Sequence, residues 1–161
     1  MNRIFIYIVV SAFLSLSYGQ TKTFTDDDKI ELIKRTLKVA LVEKQLPDYN
    51  LLKDTTQIIL SSENIRSSWI PQFSDFHLIV LSPDSIKSLA NYKGDFLFLA
   101  FKSFSVKENA DIQVTLANEW SVSQKSSEEK LIFMSGGGLS LFFYKEFGQW
   151  KERPTRESWI H

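Results

Sequence analysis

Side chains able to do chemistry are thinly spread in this 161-residue sequence, whose only histidines are His77 and His161. Asp75 and His77 stand two apart in an extended stretch. That spacing puts both on one side of a strand, where a charge pair is geometrically possible. A lone histidine in a mixed strand is more often structural than catalytic. Ser127-Glu128-Glu129-Lys130 spells Ser-x-x-Lys, which in its active form sets a serine nucleophile one helical turn from its lysine. Here the letters fall in a polar stretch without the companion motifs, and chance explains them. Gly136, Gly137 and Gly138, in MSGGGLSLFFYKEFGQW, resemble a ligand loop at first sight. Phosphate cradles, however, place glycines between a strand and a helix N-terminus. These lie between two strand-like runs, so they read as a bend in the sheet: a kinked strand, or else a hairpin turn. The kinked strand is favoured, because the long run Ile112 to Val122 calls for a long partner. No EF-hand, HExxH or Walker pattern is present, and Gly-x-Ser-x-Gly is absent. One internal histidine and no cysteine rule out a His/Cys zinc site. The sequence therefore assigns no catalytic residue, no metal and no cofactor.

Binding has more to draw on. Phe96 to Val106 and Ile112 to Val122 are long alternating runs joined by a polar turn. A three-residue turn at Glu108 to Ala110, favoured over a two-residue turn that would shift the pairing by one and separate Lys102 from Asn118, pairs Lys107 with Asp111 and brings the even positions of both runs to one face. Phe96, Phe98, Phe104, Val114, Leu116 and Trp120 then share that face, with Lys102 and Asn118 as polar diagonal neighbours. An apolar surface with a few convergent polar groups is the default ligand site. The candidate ligand-binding residues are thus Phe98 and Trp120 as walls and Lys102 and Asn118 as polar handles. The competing reading has Lys102 snorkelling at a sheet edge and Asn118 satisfying a turn or bulge. The same register points Glu119 outward, which counts against it as a pocket acid.

The elements that must position these residues are legible in outline. Thr25 or Asp26 caps a helix with acids crowding its first turn. Its buried stripe is Ile30, Ile33, Leu37, Ala40 and Leu41, and Pro47 ends it near Lys44 to Leu46. Thr56 to Leu60 and Phe76 to Leu81 read as short strands, separated by a long polar connection in which Trp69-Ile70 folds back on the core. Ser82-Pro83-Asp84 starts a second helix that Gly94 ends. Four or five antiparallel strands follow. Ser123 to Lys130 reads as a polar loop, Phe147-Gly148-Gln149 as a tight turn, and Arg153 to His161 as a tail broken by Pro154.

Segregated helices and strands argue an α+β fold: an N-terminal helix and a second short helix packed on a curved antiparallel sheet of about five to six strands. The order of elements over residues 26 to 153 resembles the cystatin-like α+β folds, and within them the NTF2-like proteins. That resemblance implies a cone made by helices packed on a strongly curved sheet. It carries no diagnostic motif, so no family site residue is transferred. It does imply an alternative activity, a cofactor-free isomerase or dehydratase using a pocket carboxylate or histidine, here Asp75-His77 or Glu119.

Composition narrows the setting. Asn2-Arg3, the apolar run Ile4 to Leu16 and the small residues before Gln20 read as a cleaved signal peptide over residues 1–19. One α+β domain over residues 20–161 remains, 161 − 19 = 142 residues, with charge 18 − 19 = −1 once Arg3 is removed. A near-neutral chain has no basic field for nucleic acid, and no second segment is long and apolar enough to span a membrane. The expectation is an exported bacterial protein, periplasmic or secreted: a module for an unidentified small molecule or protein partner. A structural envelope protein with a filled core is the further alternative. Ligand and oligomeric state are left open by the sequence.

Overall fold

The computed structural model describes residues 24–52, 57–129 and 136–160. The expected signal peptide at residues 1–19 and the expected strand at Leu131 to Met134 lie outside them. So does the chain just before Gly136, and with it the choice between a kink and a hairpin there.

Helix α1, Asp26–Leu37, starts where its acids predict. Thr25 Oγ1 accepts from the Asp28 N–H at 3.2 Å, and the Asp28 carboxylate accepts from the Thr25 N–H at 3.1 Å. This capping box satisfies donors that a helix start leaves open. The helix runs on as a π-helical turn, Lys38–Val42, closed by Glu43 N–H to Lys38 O at 3.0 Å. Helix α2, Pro83–Lys93, is capped by Ser82, has proline in its first turn and ends at Gly94, whose φ is +93°.

Six strands form one sheet: β1 Gln57–Ser61, β2 His77–Leu81, β3 Phe96–Val106, β4 Ile112–Ser121, β5 Gly137–Glu146 and β6 Gln149–Ile160. Their order is β2-β1-β3-β4-β5-β6. The expected sheet is antiparallel; the observed one is mixed. β1 pairs with both β2 and β3 in parallel, while β3 to β6 form an antiparallel meander. The reason lies in the connections. A long segment separates β1 from β2, and helix α2 separates β2 from β3, so each strand returns to the end at which its predecessor began.

The two helices lie on opposite faces. Leu32, Ile33 and Leu37 of α1 pack in one core with Leu99, Phe101, Val114, Leu116, Leu139, Leu141 and Phe143. Ile65 and Trp69 from the β1–β2 connection complete that core, as the Trp69-Ile70 pair suggests. Ser121, on the other face of β4 by strand parity, donates to the Ile86 carbonyl of α2 at 3.4 Å.

Two local expectations are corrected and a third holds. Ser123 to Lys130 is not a plain loop: Gln124–Glu129 forms a short helix, α3. It is docked through Ser123 N–H to Asp95 at 2.7 Å and Gln124 N–H to the Asn91 side chain at 2.8 Å. The tail is not broken at Pro154: β6 runs through it, and the β5–β6 register shifts there, between the Phe143–Glu152 and Leu141–Arg156 pairs, a bulge in which proline's missing N–H costs no ladder bond. The β5–β6 connection is a two-residue turn, as expected, with Phe147 and Gly148 at φ +48° and +82°.

Candidate interaction site at the outer edge of the sheet

The expected β3–β4 register holds for half of the hairpin. Lys107 N–H bonds Asp111 O at 2.8 Å, and Val106, Ser105, Phe104 and Ser103 pair with Ile112, Gln113, Val114 and Thr115. Between Phe101 and Ser103 the register shifts by one. Lys102 is the bulged residue. Beside the bulge β1 ends at Ser61, which leaves this stretch of β3 without its strand neighbour. Asn64 fills the gap, its side-chain N–H donating to the Phe101 carbonyl at 2.8 Å. A bulge is the way a strand accommodates such a change of partner.

This shift separates the four residues that the sequence groups together. Beyond the bulge Leu99 pairs with Asn118, Phe98 with Glu119 and Leu97 with Trp120. Asn118 and Trp120 therefore keep the α1 face, whereas Phe98 and Lys102 turn to the other. Lys102 Nζ meets Glu119 at 2.7 Å, each side chain about two-fifths exposed. Since Phe98 opposes Glu119 and Ala100 opposes Ala117, that ion pair spans the Ala100–Ala117 pair, where small side chains leave room for it. Glu119 points away from the α1 core, as expected. Asn118 is buried, its side-chain N–H donating to the Pro47 carbonyl at 3.0 Å while its Oδ1 has no partner. A shared pocket of Phe98, Lys102, Asn118 and Trp120 is not assembled.

The glycines have a packing role. Gly138 pairs directly with Trp159 across β5–β6, and a Cβ at Gly138 would collide with the Trp159 indole. A Cβ at Gly137 would strike the Trp159 carbonyl. They therefore admit an aromatic side chain and a close backbone, not a phosphate.

Two buried or half-buried carboxylates serve as clamps. Asp28 accepts from Lys145 Nζ at 2.6 Å and Trp150 Nε1 at 2.7 Å, tying α1 to the β5–β6 hairpin. Burial opposes its ionisation, but these bonds and those from Thr25 outweigh it and hold the carboxyl well below the usual carboxylate range. Asp111 takes both Arg153 Nε and Nη2, at 2.9 and 3.0 Å, and the same guanidinium lies 4.0 Å from the Tyr144 ring centre. The Arg153 bonds hold the Asp111 carboxyl below its ordinary value against the opposing effect of burial. Among the described residues no group of His, Cys, Asp and Glu side chains is placed to hold a metal ion. His77 is exposed on β2, and Asp75 accepts from its neighbour Ser74 at 2.8 Å.

Among the described residues, what remains open is the β2 edge. The two edges of the sheet differ in kind. β6 presents Lys151, Glu152, Arg153, Pro154, Arg156 and Glu157 along its length. Charges and proline are the usual means of stopping an edge from pairing further. β2 is His77-Leu78-Ile79-Val80-Leu81, without a formal charge at neutral pH and without proline. Leu81 O accepts from Ser62 N–H on the β1 side, so strand alternation turns the N–H and C=O of Leu78 and Val80 outward. Side chains of Leu78 and Val80 pack at the margin of the α1 core. Beside them lies a cleft of about 580 Å³ lined by Ile70, Pro71, Phe73 and Phe76, with Ser67, Gln72 and His77 at its polar side. Phe73 and Phe76 stack there at 4.5 Å. An unguarded strand edge thus adjoins a cleft whose lining mixes aromatic and polar residues.

Comparisons with protein-family models, curated proteins and solved structures returned no match to this chain. The fold and the edge are accordingly what define its class: a mixed α+β sheet with one guarded and one unguarded margin. Among the described residues no helix is long and apolar enough to cross a membrane.

Proposed function

We propose that this protein is an interaction module that takes an extended segment of a partner protein along the outer edge of β2. The observation that carries the reading is the contrast between the charged, proline-bearing β6 and the uncharged, apolar β2. Strand addition draws affinity from main-chain hydrogen bonds and specificity from pockets for alternate side chains. The outward groups of Leu78 and Val80 supply the first. The Phe73–Phe76 cleft beside them suits the second. With residues 1–19 read as a signal peptide, the partner would be met outside the cytoplasm.

Proline at position 78 tests the reading, because it deletes an outward N–H and leaves the β1-facing groups in place. Extended heptapeptides selected on the wild-type protein from a random library are expected to lose at least tenfold in affinity for Leu78→Pro in fluorescence polarisation, with circular dichroism unchanged. Equal binding to a folded Leu78→Pro protein, or failure of any extended peptide to bind the wild type, overturns the proposal.

A further inference from the structure

Resting on the strand-addition reading, we infer that the occupant of the β2 edge is a second copy of this chain, joined antiparallel about a two-fold axis at Ile79.

The hydrogen-bonding groups select this register. Only Leu78 and Val80 point their N–H and C=O outward within β2. Antiparallel strands bond in pairs whose groups face each other. An axis at Ile79 sets Leu78 against Val80 of the partner copy, and Val80 against the partner copy's Leu78. All four outward groups of each copy are then used. An axis at Val80 would set Leu78 against Ser82, whose carbonyl is already taken by Ile86 N–H at 2.9 Å. An axis at Leu78 would send Val80 to Phe76, before the strand begins. Half-step registers would face outward groups with inward ones. One two-fold register therefore satisfies the edge entirely within the strand.

Side chains agree with it. No formal charge lies between Phe76 and Ser82, so no like-charged pair opposes the approach. On the α1 face the Leu78–Val80 pairs of the two copies would come together beside both Phe73–Phe76 clefts. On the other face Ile79 meets Ile79 of the partner copy. The two six-stranded sheets would become one, 6 + 6 = 12 strands across the assembly. A five-residue strand contributes a small contact, so the dimer should be weak and concentration-dependent.

The chain has no cysteine, which gives a direct test. Residues on the axis form a non-hydrogen-bonded pair with Cα atoms about 4.5 Å apart, within the roughly 4.4–6.8 Å span of a disulfide. Purified Ile79→Cys protein, mildly oxidised, is expected to form a covalent dimer at least tenfold faster than Phe147→Cys, whose site is 99% exposed on a hairpin tip. Adding Leu78→Pro to Ile79→Cys should remove that advantage, and light scattering should show wild-type dimers growing with concentration. Equal rates for Ile79→Cys and Phe147→Cys overturn the second-copy inference. If selected extended peptides still bind the wild type in that case, strand addition stands and only the occupant is wrong. If they do not bind, both readings fall.

Discussion

The indole of Trp159 rests against the bare Cα of Gly138, its direct partner across the β5–β6 ladder. The aromatic ring occupies the space that any side chain at position 138 would need. Gly138 in turn pairs with Ala117 and Ala117 with Ala100, so a row of small residues crosses three strands and ends under a tryptophan. Glycine here answers a neighbour's volume, and its cost in strand stability is offset by the burial of an aromatic surface.

That relationship predicts coupled mutations. Gly138→Ala should destabilise the protein by about 1–3 kcal/mol, as overpacking does. In a Trp159→Ala background the same substitution should cost less than about 0.5 kcal/mol, because the clash is gone. Urea unfolding of the four proteins in the cycle measures it. Additive costs would show that the ring does not sense position 138.

Asp28 predicts a pH dependence. Its folded carboxyl is held well below the ordinary value of 3.8. A depressed folded pKa stabilises above the unfolded value and the benefit is lost as pH falls through the folded one. Asp28→Asn should therefore lower stability at neutral pH by roughly 2 kcal/mol, the scale of charge-assisted bonds. The gap between variant and wild type should hold above about pH 5 and narrow as pH falls below the unfolded value. Thermal melts from pH 7 to pH 2 follow that convergence.

Substitutions at Lys102 and Asn118 should differ widely in cost. Lys102→Met breaks an ion pair that is about two-fifths exposed on both sides, and exposed pairs contribute less than about 1 kcal/mol. Asn118→Asp places a carboxyl in a buried site beside the Pro47 carbonyl. Burial without a donor raises the pKa of that new carboxyl in the folded state, so its penalty grows with pH. Its cost should exceed that of Lys102→Met by several kcal/mol at pH 7 and shrink near pH 4. Chemical denaturation at the two pH values separates the cases.

Local signals gave reliable elements. The Thr25 capping box, Ser82-Pro83, Gly94 and the Phe147-Gly148 turn each fall where their own few residues put them. The failures share one character. Pro154 reads as a break unless its strand is known to bulge there against β5. Ser123 to Lys130 reads as a loop unless Asp95 and Asn91 are known to hold the first turn of Gln124–Glu129. Both depend on residues far away in the chain.

Sequence by itself determined the α+β class, helices α1 and α2, the β3–β4 turn and the absence of cysteine, because capping, periodicity and composition act over a few neighbouring residues. Tertiary structure alone decided that β1 joins β2 and β3 in parallel, that Lys102 bulges and turns from Asn118, and that the glycines face Trp159. A register shift costs little locally and reverses the face of every residue beyond it. At Lys102 the shift coincides with the end of β1, where Asn64 bonds the Phe101 carbonyl, a neighbour brought there from far away in the chain by the whole fold.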